Sequence, residues 1–122
     1  MKIGIDIHNT IDKYPKFFSK FTKRLREKGH GIYIITGSME SDSIKDYLEE
    51  IGIVWDKFFS ISDYLIENGY ECIFEDPENP WFEMEVWNRV KGHFCKEEKI
   101  DIHFDDSTVY GKYFETLYAE VL

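Results

Sequence analysis

The sequence has few of the features that mark secreted or membrane-spanning proteins. It contains only 2 cysteines, Cys72 and Cys95, and their spacing suggests neither a metal site nor a redox pair. Free thiols in a reducing compartment are the default for such cysteines, so we expect a cytoplasmic protein. No apolar run approaches the roughly 20 residues that a membrane-spanning helix needs. A strand pattern already begins at Lys2, so we expect no signal peptide before the fold and no membrane contact.

Basic residues are too few for a general nucleic-acid-binding protein. There are 15 Lys and Arg against 24 Asp and Glu, a net charge of −9, whereas such proteins need a dominant basic surface. The charge is uneven, because residues 1–28 hold 8 of the basic residues and only 3 of the acidic ones. Most of these basic residues lie on one predicted helix, 13–28. That helix has two interpretations: a solvated face, or a docking face for an acidic partner.

Apolar segments with strand and helix periodicity alternate along the chain. The predicted strands are 2–7, 32–35, 58–61, 100–104 and, with looser alternation, 113–121. Helices separate them, as in proteins whose parallel sheet is covered on both faces. We therefore predict an α/β fold, a three-layer Rossmann-like domain with a mostly parallel sheet of about five strands. A chain of 122 residues is expected to form a single domain, 1–122.

The segment between the third and fourth of these strands is harder to interpret. Residues 70–74 have a strand pattern, and 75–80 form an acidic turn. Asn79-Pro80 is typical of a helix start, and Gly92 is predicted to interrupt that helix before Lys99.

The same segment carries an aromatic cluster of Trp81, Phe82 and Trp87. Core packing is the commoner explanation for such a cluster, and a substrate pocket is the alternative.

Three predicted strands end in polar residues. Asp6 ends the first, Thr36 follows the second, and Asp105-Asp106 follow the fourth. A turn or helix cap explains any one of these residues alone. Parallel strands, however, bring such ends to one edge of the sheet, where open α/β sheets bind ligands. The coincidence predicts a site at that edge.

The order and spacing of these residues resemble the haloacid dehalogenase (HAD) superfamily of phosphohydrolases. Its first motif, a strand followed by Asp-x-Asp-x-Thr, corresponds to Asp6-Ile7-His8-Asn9-Thr10. Its second is a strand ending in Thr or Ser, here Thr36, and its third is a lysine before the fourth strand. Its fourth is a strand followed by an acidic pair, here Asp105-Asp106. The resemblance covers 2–107, nearly the whole chain.

The resemblance implies a magnesium-dependent phosphohydrolase acting on a phosphate monoester. Asp6 would be the nucleophile that forms an aspartyl-phosphate. Mg²⁺ would be held by Asp6, the backbone carbonyl of His8 and Asp106, with Asp105 beside it. The residues implied in substrate binding are Asn9, Thr10, Thr36, Gly37 and Lys91.

Lys91 is chosen over Lys96 and Lys99 on geometric grounds. A helix over 91–98 runs about 12 Å away from the carboxyl edge, and the following strand climbs back about 16 Å. Lys91 therefore starts near the edge that holds Asp105, where it would neutralise phosphoryl charge. The alternative is an ordinary surface lysine, because the helix pattern around Gly92 is ambiguous.

His8 departs from the family, whose phosphatases usually carry a second Asp there as general acid and base. Histidine can do both tasks. The alternatives are that His8 marks a changed reaction, or lost activity. Asn9 replaces the usual Gly, and Asn tolerates left-handed backbone.

Residues 11–31 and 37–90 leave no room for the cap domain of most family members, only for a small flap over 70–82. The resemblance thus points to capless, nucleotidase-like members, whose open sites take large phosphorylated substrates or are covered by a neighbouring subunit in a homo-oligomer. Phosphorylated small molecules remain equally open as substrates. The alternative function is a catalytically impaired protein that binds a phosphorylated ligand or a protein partner.

A receiver domain of two-component signalling is the rival fold. In a receiver domain the acid pair follows the first strand, whereas here it follows the fourth.

Overall fold

The elements of the computed structural model, which describes residues 1–76 and 79–122, alternate between strands and helices. In chain order they are β1 (Lys2–Ile5), α1 (Pro15–Glu27), β2 (Gly31–Thr36), α2 (Asp42–Glu50), β3 (Lys57–Ser60), α3 (Ile61–Glu67), β4 (Ile73–Asp76), β5 (Asn79–Trp81), α4 (Met84–Glu97), β6 (Ile102–Asp105) and β7 (Leu117–Glu120). A short 3₁₀ turn, Tyr110–Tyr113, lies between β6 and β7.

Five strands form one sheet in the order β3-β2-β1-β6-β7. Every neighbouring pair in it is parallel. The predicted α/β class, the sheet of about five strands and its parallel direction are therefore confirmed. The chain builds outward from β1 to β3 on one side, then crosses over to β6 and β7 on the other. The strand order thus reverses between β1 and β6, which is where open parallel sheets form a crevice at their carboxyl edge.

The two faces of the sheet bury different residues of the same strand. In β2, Ile32 and Ile34 belong to the core cluster that includes Phe18 of α1 and Leu48 of α2. The alternate residues, such as Tyr33, pack with Cys95 of α4. Because side chains of a strand alternate between faces, helices cover both sides, and three layers result.

The basic helix α1 buries one apolar stripe. Phe18 is 2% exposed, whereas its neighbour Phe17 is 57% exposed, so Phe18 is the one that belongs to the core. Pro15 lies in the first turn of α1, where a backbone N–H would have no partner within the helix, so its absence costs no hydrogen bond.

Within the described residues, we find no helix that is both long and apolar enough to cross a membrane.

The predicted helix start at Asn79-Pro80 is wrong. Residues Asn79–Trp81 form β5, which pairs antiparallel with β4, and this two-stranded sheet lies in the segment predicted as a flap. Helix α4 begins only at Met84, where the Glu83 carboxylate accepts a hydrogen bond of 2.9 Å from the Val86 N–H. The predicted acidic turn 75–80 includes residues 77 and 78, which lie outside the described residues.

The predicted interruption of α4 at Gly92 is also wrong, since the helix runs without a break from Met84 to Glu97. Gly92 is buried under the 3₁₀ turn, and a Cβ at this position would overlap the carbonyl oxygen of Tyr113. The glycine allows two backbones to approach closely instead of ending the helix.

Candidate active site at the carboxyl edge of the sheet

The carboxyl ends of β1, β2 and β6 border a cleft of about 620 Å³. It lies at the reversal of strand order described above. The residues lining it are Asp6, His8, Gly37, Ser38, Ser62, Pro80, Trp81, Trp87, Lys91, Asp105, Asp106, Ser107, Thr108 and Tyr110. Most residues predicted for the site therefore do meet at one place.

A buried lysine joins two carboxylates at the floor of this cleft. Lys91 Nζ donates hydrogen bonds to Asp6 Oδ1 at 2.9 Å and to Asp105 Oδ2 at 2.7 Å. The three residues are 2%, 5% and 1% exposed, respectively. Lys91 thus lies near the edge of the sheet, where the helix geometry predicted it, and its role in a reaction stays a prediction.

Burial and charge act on these groups in opposite directions. Burial and the neighbouring Asp105 raise the pKa of Asp6 to about 6, although Lys91 lowers it. Burial alone would lower the pKa of Lys91, but the two carboxylates outweigh it and raise that pKa above its ordinary value. The environment therefore favours the charged form of Lys91, while Asp6 takes up a proton more readily than an ordinary aspartate.

His103 is the residue of this network that the sequence did not reveal. It is fully buried in β6, and its Nε2 lies 2.9 Å from Asp105 Oδ2. Its pKa is lowered by burial, so a neutral ring donating from Nε2 fits this contact. Residues two positions apart in a strand share a face, so His103 lies on the same face of β6 as Asp105. That spacing is the signal in the sequence that could have revealed their contact.

Gly4 leaves space for the His103 ring. A Cβ on Gly4 would come within 2.7 Å of His103 Nδ1, a distance that real contacts do not reach. The small residue in β1 therefore allows the histidine in β6 to lie against the sheet and meet Asp105.

Three carboxylates form the candidate metal site. One oxygen each from Asp6, Asp105 and Asp106 can be chosen so that all lie within 4.8 Å of one another. Lys91 is the cation bonded among them, so negative charge is left in excess. Hard oxygen ligands with excess negative charge fit a cation such as Mg²⁺, and they fit a soft metal poorly. The cluster consists of side chains, so the backbone carbonyl of His8 as a ligand stays a prediction.

His8 lies at the rim of the cleft with its side chain 62% exposed. Its Nε2 is 2.7 Å from Ser38 Oγ, and its Nδ1 is 3.6 Å from Asp12 Oδ2. The loop that carries it is closed by a backbone bond from Asp12 N–H to Ile7 O at 3.1 Å. Asn9 adopts φ +54° in this loop, which is left-handed backbone. Asn was expected to tolerate that conformation in place of the family's usual Gly.

The residues predicted to bind substrate differ in how they meet the cleft. Thr36 is fully buried, and its Oγ1 accepts a hydrogen bond of 3.2 Å from Ser38 N–H, so Gly37 and Ser38 line the cleft in its place. Thr10 is also fully buried, and its Oγ1 has no hydrogen-bond partner within the described part of the chain. Asn9 is exposed and outside the lining.

The aromatic cluster is divided between core and cleft. Phe82 is 5% exposed and packs with Ile61, Leu65 and Val90, whereas Trp81 is 61% exposed. Trp81 and Trp87 both line the cleft. Core packing, the favoured interpretation, is therefore right for Phe82 and wrong for Trp81.

Comparison of the chain with protein-family models, with curated proteins and with solved structures found no match in any of the three. The resemblance to the HAD superfamily thus rests on the motifs and on the arrangement of the site, and it stays a prediction.

Proposed function

We propose that the protein is a magnesium-dependent phosphohydrolase that acts on phosphate monoesters through an aspartyl-phosphate at Asp6. The observation that supports this most is the buried Lys91 bridging Asp6 and Asp105 beside a carboxylate cluster of metal-ligand dimensions. Phosphoryl transfer needs little from a protein besides positioning and charge neutralisation. A nucleophilic carboxylate, a fixed cation and a cation site at one edge are the parts that such a reaction requires.

Mg²⁺ bound by Asp6, Asp105 and Asp106 would neutralise charge, so that an anionic ester could approach an anionic nucleophile. Lys91 uses two of its three N–H donors on carboxylates, and the third is left for a phosphoryl oxygen. Asp105 holds Lys91 in place through its 2.7 Å bond. Asp105 therefore positions Lys91, and Lys91 would position the phosphoryl group.

Two proton transfers at His8 complete the proposed cycle. Asp6 attacks phosphorus, the bond between phosphorus and the ester oxygen breaks, and protonated His8 gives its proton to the leaving oxygen. Neutral His8 then takes a proton from water as that water attacks phosphorus, which releases phosphate and restores the Asp6 carboxylate. The exposure of His8 and its 2.7 Å contact with Ser38 suit a group that must meet both leaving group and water.

The test is phosphate release from an aryl phosphate, with Mg²⁺ or with a chelator. The natural protein is compared with Asp6→Asn and with Asp46→Asn, whose carboxylate is exposed on α2 and serves as the matched control. We expect Mg²⁺-dependent release, a loss of about a thousandfold or more in Asp6→Asn, and no change in Asp46→Asn. Acid-quenched samples should contain phosphate on the peptide that carries Asp6, detectable by mass spectrometry.

Phosphate release that persists in Asp6→Asn would contradict the assignment of Asp6 as the nucleophile. If no ester is hydrolysed but inorganic phosphate binds only with Mg²⁺, the alternative function, a catalytically impaired phosphate-binding protein, would be supported instead.

A further inference from the structure

A second cavity of about 400 Å³ opens beside the candidate active site. Its lining consists of Pro80, Trp81, Phe82, Met84, Trp87, Asn88, Ser107, Val109 and Tyr110. Trp81, Trp87 and Tyr110 also line the cleft that contains Asp6, so the two spaces adjoin each other. We call Trp81, Trp87 and Tyr110 the aromatic wall.

The aromatic wall and its surroundings expose apolar surface. Trp81 is 61% exposed, Met84 62% and Val109 43%. A cluster of large apolar side chains beside a polar site marks a place where something else binds. The occupant must meet apolar surface at one end while its other end reaches the carboxyl edge.

Two members of the wall, Trp87 and Tyr110, are held in place without a ligand. The Trp87 ring stacks on Phe82 with centroids 5.8 Å apart and an angle of 20°, and its Nε1 donates a 2.8 Å hydrogen bond to the Tyr110 hydroxyl. A Cβ on Gly37 would come within 2.7 Å of the same ring, so the β2 terminus packs directly against it. Side chains that are already fixed lose little conformational entropy when a ligand binds.

The chemistry of the wall selects the occupant. The Trp87 N–H is already used on Tyr110, and the lining of this cavity includes no charged side chain among the described residues. Besides the Tyr110 hydroxyl, Asn88 and Ser107 are the polar side chains of an otherwise apolar and aromatic lining, so a sugar or polyol would find few partners for its hydroxyl groups, whereas a flat aromatic ring needs only faces to stack on.

We propose that the aromatic wall binds an aromatic ring carried by the substrate, so that the preferred substrates are phosphate monoesters whose organic group is aromatic. The inference rests on the proposed phosphohydrolase site, because the phosphoryl group must occupy the carboxyl edge while the ring lies against Trp81. It adds substrate preference, which the carboxylates and Lys91 do not determine.

The test uses two phosphonates of equal charge and similar size, benzylphosphonate and cyclohexylmethylphosphonate, with Mg²⁺ present. Neither has an ester bond, so binding is measured apart from turnover by calorimetry. We expect benzylphosphonate to bind about three- to tenfold more tightly to the natural protein. The preference should vanish in Trp81→Ala and persist in Trp81→Phe. Phe17→Ala removes an aromatic residue of similar exposure (57% against 61%) from helix α1, away from the wall, and it should leave the preference unchanged.

Equal binding of the two phosphonates, no binding of either, or a preference that survives Trp81→Ala would each overturn the inference. A dimer that dissociates in Trp81→Ala, with no ring preference, would mean that a second copy covers the wall, and it would overturn it as well. Turnover without ring preference contradicts only this inference, whereas ring preference without any turnover contradicts only the phosphohydrolase.

Discussion

Asp105 accepts hydrogen bonds on both of its carboxylate oxygens. Oδ2 meets Lys91 at 2.7 Å and His103 at 2.9 Å, while Oδ1 accepts from the Ser107 N–H at 3.1 Å. These contacts, with the charge of Lys91, hold the pKa of Asp105 well below its ordinary value, although burial opposes them. Asp6 has fewer such contacts and a raised pKa. The two acids of the site thus differ in environment, which suits Asp105 to a positioning task and Asp6 to chemistry.

Replacement of His8 tests its proton-transfer role. We expect His8→Ala to lower kcat by about a hundred- to ten-thousandfold, because the leaving oxygen and the attacking water lose their proton partner. His8→Asp should keep activity with a shifted pH profile, since a carboxylate can carry out the same transfers. His93→Ala, which removes an exposed histidine of α4, is the control. Full turnover in the alanine variant would exclude His8 as acid and base.

The raised pKa of Asp6 predicts how stability depends on pH. The folded pKa of about 6 lies above the ordinary 3.8, so the folded state holds this proton over a pH range in which the unfolded state has lost it. The Asp6 contribution is therefore fully present below about pH 4 and is lost as pH rises through 6. The loss is on the order of 1–3 kcal/mol.

Urea unfolding with a chelator at pH 4 to 8 measures this effect as the difference between the natural protein and Asp6→Asn. The variant should gain stability relative to the natural protein as pH rises, because the amide has no charge to bury. His103, whose pKa is lowered, has the opposite dependence but is common to both proteins. A difference that does not change with pH would show that Asp6 titrates normally.

At the scale of elements, helix α4 connects the parts of the site. It carries Lys91 to the carboxylates and Trp87 to the aromatic wall, and it packs closely against the 3₁₀ turn at Gly92. These residues share one helix, so a displacement of α4 would disturb charge neutralisation and the wall together.

Gly92→Ala should destabilise the protein, which is the reverse of the usual effect of alanine in a helix. Alanine normally stabilises a helix by about 1 kcal/mol over glycine, but here its methyl group would meet the Tyr113 backbone. We expect a loss of about 1–3 kcal/mol in thermal or urea unfolding. Gly31→Ala, where a Cβ would meet atoms no closer than 3.6 Å, is the matched control. A stabilised Gly92→Ala protein would contradict the close approach.

The same elements show how far sequence alone could go. Periodicity predicted the five sheet strands, the polar residues at their ends located Asp6 and Asp105 at one edge, and helix geometry located Lys91 near it. The start of α4 depends on the pairing of β5 with β4, which takes up residues predicted as helix. The role of Gly92 depends on its contact with the backbone of Tyr113. Such contacts join distant parts of the chain, and they override local propensity for helix starts and breaks.

For the molecule as a whole, the carboxylate cluster predicts stabilisation by divalent cations. A ligand that binds only the folded state stabilises it, by about 1.4 kcal/mol for each tenfold excess over Kd. Mg²⁺ should therefore raise the melting temperature of the natural protein more than Na⁺ at equal ionic strength. Asp106→Asn should lose most of this response, and Asp46→Asn should keep it. Equal responses in both variants would mean that Mg²⁺ binds elsewhere.

The strand order has a consequence for synthesis. β1 pairs with β2 on one side and with β6 on the other, and Lys91 lies 85 residues from the Asp6 that it contacts. While the chain is being made, β1 to β3 can pair early, but one side of β1 stays open until β6 emerges. At that stage Asp6 lacks both Lys91 and the neighbouring carboxylates of Asp105 and Asp106. A nascent chain can therefore pair three of the five strands of its sheet while its carboxylate cluster is still incomplete, so the proposed phosphohydrolase activity would require β6.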